Sequence, residues 1–166
     1  MSRSTPADGT RQVAYFSMEI ALDPMVPTYS GGLGILAGDT LRAAADVDLP
    51  MVGVTLLYRQ GYFTQRLDAV GNQREEPAVW SPETLLEIVP DAVVNVAIEG
   101  RDVHVCAWRY VVSGEAGAMV PIYLLDTDLP ENTVEDRAIT AELYAGDQSH
   151  RLRQEELVAG FDRLSR

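Results

Sequence analysis

The sequence predicts an α/β fold with a β-rich insertion, and three observations carry that expectation. Two short apolar runs, Val13 to Phe16 and Met51 to Leu57, bracket a glycine-rich turn and a segment of helical spacing, the order of a parallel βαβ unit. Between about residues 58 and 125, several short strand-like runs, one of them read as alternating with period two, are separated by turn clusters, which favours antiparallel structure. The composition suits a packed domain: of 166 residues, 46% are hydrophobic and 23% charged, and a chain of that length buries roughly two thirds of its extended surface.

Met1 to Thr10 is polar, lacks the apolar core of a signal peptide and is expected to be a flexible tail. Val13 to Phe16 is expected to be a buried strand, with Ser17, Met18 and Glu19 at its carboxyl end. Pro24 and Pro27 deny the next segment both helix and ladder hydrogen bonds, so it is expected to be an irregular loop leading into Gly31-Gly32-Leu33-Gly34. From Ile35 the apolar residues Leu36, Leu41, Ala44, Ala45 and Val47 fall at helical spacing until Pro50, which predicts an amphipathic helix of about fifteen residues. Met51 to Leu57 is the second strand of the unit.

Tyr62 to Leu67 alternates with period two and ends in the turn cluster Asp68 to Asn72. Val93 to Ile98 and Asp102 to Val112 flank Glu99-Gly100-Arg101 as a hairpin, and Val120 to Leu125 supplies another strand. Thr133 is a helix cap with an acid three residues on. His150 to Leu164 is expected to be a last helix with Leu152, Leu157, Phe161 and Leu164 on one side.

A formal charge of −12 leaves no basic patch for a nucleic acid or an anionic membrane surface, so neither is expected as a partner. No apolar run approaches the ~18 residues of a spanning helix, and the lone cysteine, Cys106, fits a small buried hydrophobe in a reducing compartment. The cytoplasm is the expected location. All 13 cationic side chains are arginine, so no side chain of this sequence can form a Schiff base. His104 and His150 have no companions at ligand spacing and suggest no metal. Glu75-Glu76 and Glu155-Glu156 are adjacent acids, not the opposed pair that glycoside hydrolysis requires. Trp80 and Trp108 read as core in apolar company.

Tyr29-Ser30-Gly31-Gly32-Leu33-Gly34 stands where a strand-to-helix crossover presents free amides and the positive end of a helix dipole. Such a turn accepts an anion, and the same residues also serve as a tight turn for helix-to-sheet packing. The motif is neither a dinucleotide GxGxxG nor a Walker loop with its lysine.

The long stretch VAYFSMEIALDPMVPTYSGGLGILAGDTLRAAADVDLPMVGVTLLYRQGYFTQRLD resembles the opening of bacterial and archaeal α-glucan phosphorylases. VPIYLLDTDLPEN and LYAGDQSHRLRQE resemble later stretches of that family, so the likeness runs from about Gln12 to Glu155. The resemblance implies a GT-B enzyme of two Rossmann-like domains, with pyridoxal 5'-phosphate on a lysine of the second domain and phosphorolysis of α-1,4-glucan to glucose 1-phosphate. On that basis residues 11–166 are part of the N-terminal domain, with a β-rich excursion over about 58–125 and the cofactor domain absent. Gly31, Gly32 and Leu33 are implied as backbone donors to sugar or phosphate, with Glu19 near the same cleft.

Outside the resemblance, Glu19 also reads as a solvated loop acid or an arginine's partner, although its strand-end position favours a ligand site. Tyr29, Arg59, Tyr62 and Asp39 are weaker candidates, Asp39 being explained as an acid in the first turns of the helix. The implied partners are α-1,4-glucan or maltooligosaccharide and inorganic phosphate, together with a second copy of the chain or a separate chain carrying the second domain.

After Glu155 the likeness weakens, as a truncated or frameshifted gene would produce, and the chain alone is expected to be inactive. Two other readings are weighed. A nucleotide-sugar glucosyltransferase of the glycogen synthase kind shares the architecture but places a lysine before the turn, where this chain has Tyr29-Ser30. A non-catalytic carbohydrate-binding or partner-binding remnant would bind maltooligosaccharide without turnover.

Overall fold

The computed structural model describes residues 12–144 and 146–165. The tail expected over residues 1–10 lies outside the described residues. The crossover unit forms as the sequence predicts: β1 (Val13–Phe16), α1 (Gly32–Asp46) and β2 (Met51–Leu56), with β1 parallel to β2. It continues into a mixed sheet, because β8 (Met119–Asp126) also pairs parallel with β2. The long β7 (Arg101–Ser113) runs antiparallel to β8 and carries β5 (Glu87–Ile88) and β6 (Val94–Ile98) on its other edge. Within residues 58–125, only the hairpin β3 (Thr64–Leu67) and β4 (Gln73–Glu76) stands apart as a two-stranded sheet.

The two faces of the sheet build two cores. On one, α1 packs Ala37, Leu41, Ala44 and Ala45 against Ile122, Leu124 and Trp108. On the other, α3 (Gln148–Ser165) brings Leu157 to Val54, Leu56, Leu125 and Ile98, with Ile139 beside them. Alternate residues of β8 serve opposite faces, as a strand between two layers must. Thr133 caps α2 (Val134–Arg137) as predicted, its side chain accepting from the Asp136 amide.

Three expectations about facing are corrected. Strand β1 is not buried: it lies at the sheet's edge, Val13 is 43% exposed and Phe16 half-buried, because the helices cover the inner strands. Helix α1 starts at Gly32 rather than Ile35, with Gly31 as its cap. Its inward stripe is Gly34, Ala37, Gly38, Leu41, Ala44 and Ala45, while Leu36 and Val47 face solvent. Small residues at this spacing let the helix axis approach closely; a Cβ on Gly38 would meet the Ala21 carbonyl oxygen. In α3, Leu152 is exposed and the buried stripe runs through Gln154 and Leu157, with Val158 and Phe161 beside it. Gln154 is tolerated inside because its amide donates to the carbonyls of Ile139 (2.8 Å) and Glu142 (3.2 Å). The side chain of Leu164 lies outside the described residues.

Candidate functional site

A helix leaves its first amides without intrahelical acceptors. In α1 those belong to Gly32, Leu33 and Gly34, and no side chain of the cap residue Gly31 takes them. Gly31, Gly32 and Leu33 are all exposed, and a Cβ on Gly31 or Gly32 would meet nothing within 4 Å. Since β1 and β2 run parallel and α1 returns between them, the helix begins at the carboxyl ends of the strands, where α/β sheets take their ligands.

Glu19 lies directly beneath this turn and is 2% exposed. One carboxylate oxygen, Oε2, accepts the Ser30 amide at 2.8 Å, and the other, Oε1, accepts a short hydrogen bond from the Tyr144 hydroxyl. Both alternatives expected for it, a solvated acid and an arginine's partner, are therefore corrected: two neutral donors hold the buried charge. Burial of an acid is tolerable only with such donors. The carboxylate also explains Gly34, where a Cβ would sit 3.1 Å from Oε2 and collide with the Cβ of Tyr29. Tyr29 is half-buried against that first turn.

The loop before the turn is stapled to the same place. Ile20 and Thr28 exchange hydrogen bonds, the Ala21 amide donates to the Gly34 carbonyl at 2.9 Å, and Arg42 donates to the carbonyls of Ala21 and Leu22. Tyr58, fully buried, donates its hydroxyl to the Met18 carbonyl at 2.8 Å. Its burial pushes its ionisation well above the ordinary phenol range. The Tyr144 hydroxyl is pushed up to about 12, first by its hydrogen bond to Glu19, then by burial and by the Glu19 charge.

The other expected residues fall elsewhere. Arg59 donates through Nε (3.0 Å) and a terminal nitrogen (2.7 Å) to Asp126, which is fully buried, and lies within 3.4 Å of Asp128. Trp108 adds an indole N–H to the same Asp126 oxygen at 3.1 Å, and the Arg59 guanidinium stands 5.7 Å from the Trp108 ring centre. Asp39 is an exposed partner of Arg42 at 3.5 Å. With α1 starting at Gly32 it stands beyond the first turns, so the dipole account given for it is corrected: that effect fades within the first turn. Tyr62 meets Phe63 at 4.1 Å between ring centres and Tyr144 edge-on at 6.2 Å, in a groove beside the β3–β4 hairpin.

Cys106 and Trp108 are buried and Trp80 packs against the core, its indole donating to the Tyr58 carbonyl. His104 is tied through its backbone to Asn132, and burial lowers the His150 pKa beside Gln154. Among the described residues no three His, Cys, Asp or Glu side chains gather as a metal would require, and no helix is long and apolar enough to cross a membrane. Two residues of weight escaped sequence reasoning. Tyr144 was visible only as part of the LYAGD string, and Asp126 reads as one acid of a polar turn.

No family model matches the chain. It is similar to the glycogen phosphorylase of Mycobacterium tuberculosis, 45% identical over 155 residues that cover 90% of this chain and 17% of that protein. It is also similar to the maltodextrin phosphorylase of Thermococcus litoralis, 38% identical over 152 residues, covering 88% and 18% respectively. To the glycogen phosphorylase of Aquifex aeolicus it is 32% identical over 173 residues, covering 97% and 24%. The chain thus spans less than a quarter of the length of each of these relatives.

Proposed function

Because this chain is homologous to a portion of the glycogen and maltodextrin phosphorylases, we propose that it forms the glycine-turn wall of a GT-B cleft, in which phosphate splits glucose 1-phosphate from an α-1,4-glucan. One observation carries this reading: the uncapped, exposed amides at the start of α1, poised over a carboxylate buried in neutral company. Gly32 and Leu33 donate to a phosphate or glucosyl oxygen, the helix dipole favours developing negative charge there, and Glu19 holds the turn to its shape. The substrates are α-1,4-glucan or maltooligosaccharide and inorganic phosphate, and the cytoplasm is the place of action.

Pyridoxal phosphate, which kinship to these enzymes implies, finds no anchor among these residues. No lysine occurs in the sequence, and the ionisable side chains hydrogen-bonded around the turn and its loop are a carboxylate, tyrosines and the Arg42 guanidinium rather than an amine. No step through the cofactor is assigned to this chain, and alone it is expected to release no glucose 1-phosphate.

A graft tests the reading. Residues of this chain replace the homologous segment of the Thermococcus litoralis maltodextrin phosphorylase, and glucose 1-phosphate is measured from maltoheptaose and phosphate. The graft is expected to be active. Gly32→Pro in the graft removes one amide at the first helical position, where proline is tolerated, and is expected to lower kcat about 100-fold, the scale for one preorganised donor. A folded but inactive graft, or an unaffected Gly32→Pro graft, overturns the proposal.

A further inference from the structure

Among the described residues two bulky side chains stand on left-handed backbone, Tyr58 (φ 51°) and Tyr144 (φ 62°). The other non-glycine positions of this kind, Asp48, Asp91 and Glu99, are acids in turns. A tyrosine is held in that conformation only where its surroundings demand it, and such places gather at functional sites. Both hydroxyls converge on one dipeptide. Tyr58 is fully buried and donates to the Met18 carbonyl at 2.8 Å, whereas Tyr144 is 46% exposed and donates to Oε1 of the buried Glu19.

The segment that carries Tyr144 does not need this hydrogen bond to keep its place. The Gln60 amide donates to the Ala141 carbonyl at 2.7 Å, the Leu143 amide to the Gly61 carbonyl at 3.1 Å, and the Gln154 side chain to the Glu142 carbonyl at 3.2 Å. The carboxylate does need it. Among the described residues the Tyr144 hydroxyl is the donor that Oε1 receives, and an acceptor buried without a donor is costly. Oε2 is given to the turn: it accepts the Ser30 amide at 2.8 Å and lies 3.1 Å from where a Cβ of Gly34 would stand. Gly31 and Gly32 have no side chains to anchor them, so the aim of the Gly32 and Leu33 amides is set from the ends of the turn. At one end the Ile35 amide donates to the Gly31 carbonyl at 3.2 Å, and at the other Glu19 holds the Ser30 amide.

We propose that Tyr144 is a positioning residue for the glycine turn: its hydroxyl fixes Glu19, and Glu19 fixes Ser30, so that the amides at the start of α1 point at one place before a ligand arrives. Its part in turnover rests on the phosphorolytic reading above; the chain of hydrogen bonds does not. Preorganised donors are effective because they need no rearrangement at the moment of reaction, and a small misplacement of them is felt in the rate. The Tyr144 ring has neighbours of its own, Tyr62 edge-on at 6.2 Å and the Arg151 guanidinium 5.9 Å from its centre. Tyr144→Phe keeps those and takes away the hydroxyl alone.

The turn is read first directly and then through the reaction. In the isotope-labelled 166-residue chain, Tyr144→Phe is expected to speed hydrogen exchange of the Ser30 amide about tenfold, the scale of one hydrogen bond, and to move the Gly32 and Leu33 amide resonances. The Leu143 amide, bonded to the Gly61 carbonyl, is the control and should keep its rate. Glu19→Ala should free the Ser30 amide by itself, and adding Tyr144→Phe to it should change nothing further. In the maltodextrin phosphorylase graft, Tyr144→Phe is expected to lower kcat about tenfold with KM for maltoheptaose within about twofold. Unchanged Ser30 exchange in a folded Tyr144→Phe chain, exchange that rises equally at Leu143, or a further loss in the double variant overturns the proposal. Should Glu19→Ala not fold, the comparison of Ser30 with Leu143 decides alone. An active graft whose kcat ignores Tyr144→Phe removes the positioning role and leaves the phosphorolytic reading. An inactive graft beside a freed Ser30 amide removes that reading and leaves Tyr144 holding the turn.

Discussion

Among the buried carboxylates of the described residues, Asp126 at the end of β8 and Glu19 beyond β1 are held in opposite ways. Asp126 is saturated: Arg59 gives it two hydrogen bonds, Trp108 one, Thr140 one and the Asp128 amide one. Among the described residues Glu19 has neutral donors, Ser30 and Tyr144, and lies under a turn at which a Cβ on Gly31 or Gly32 would meet nothing within 4 Å. A buried charge with a matched cation fixes architecture, because removing either partner strands the other. The proposed function puts its ligand beside the second kind, at the start of α1. The contrast separates Arg59, a weaker candidate from sequence, from Glu19, which its strand-end position favoured.

The contrast breaks most directly at its structural end. Asp126→Ala leaves Arg59 and the Trp108 indole without their shared acceptor and is expected to destabilise the chain by about 3–5 kcal/mol, the range for a buried pair losing one member. The measurement is the shift in urea midpoint at unchanged slope. If Asp126→Ala costs no more than Glu19→Gln, the two carboxylates are not different in kind.

Next in size is Gly34→Ala. The added Cβ would strike Tyr29 and crowd Glu19 Oε2, and the α1 backbone cannot retreat because the Gly34 carbonyl is held by the Ala21 amide. Overpacking of this sort costs about 1–3 kcal/mol. It should act on the Glu19 region alone, so a double variant with Asp126→Ala is expected to be additive within about 0.5 kcal/mol, as for sites without shared partners.

What could be read from sequence followed from local chemistry. Apolar runs around a glycine turn gave the β1–α1–β2 crossover, Glu99-Gly100 gave the β6–β7 hairpin, and Thr133 gave a helix cap. The inward stripe of α1 was misread because hydrophobicity marked Leu36 and Val47, whereas close approach to the sheet selected Gly34, Ala37 and Gly38. The partnerships of the two carboxylates were out of reach for a different reason. Arg59 and Asp126 are 67 residues apart, and Glu19 and Tyr144 are 125 apart. Nothing in DTD distinguishes a buried acid from a solvated turn, and only the parallel pairing of β8 with β2 brings Asp126 to Arg59.

Glu19→Gln probes the other end of the contrast. An amide keeps one acceptor and the side chain's shape, so the expected cost is about 1 kcal/mol, one ordinary hydrogen bond. Its signature is in the tyrosine titration. Tyr144 is pushed up to about 12 because Glu19 accepts its hydroxyl's hydrogen bond, burial disfavours the anion and Glu19 repels it; the variant should bring it toward the ordinary phenol value of about 10. Since the folded value is the higher one, this group's contribution is full below about pH 10 and is lost as pH rises through about 12. Absorbance at 295 nm should show the Tyr144 step at lower pH in Glu19→Gln, and stability should fall more steeply across that window in the wild type than in the variant.

The smallest expected effect sharpens the contrast by showing what an acid near the turn does when it is not buried. Asp39 is exposed, pairs with Arg42 at 3.5 Å, and stands beyond the reach of the dipole at the start of α1. Arg42 is positioned independently, by the carbonyls of Ala21 and Leu22 at 3.0 and 2.7 Å. Asp39→Asn therefore removes a screened attraction and leaves the arginine where it was, and stability is expected to move by less than about 0.5 kcal/mol. Salt is the control, because 1 M chloride should erase whatever difference is seen at low ionic strength. A loss above 1 kcal/mol on this scale that survives high salt would mean that Asp39 holds the helix start itself, and the division between solvated and buried acids around the turn would have to be redrawn.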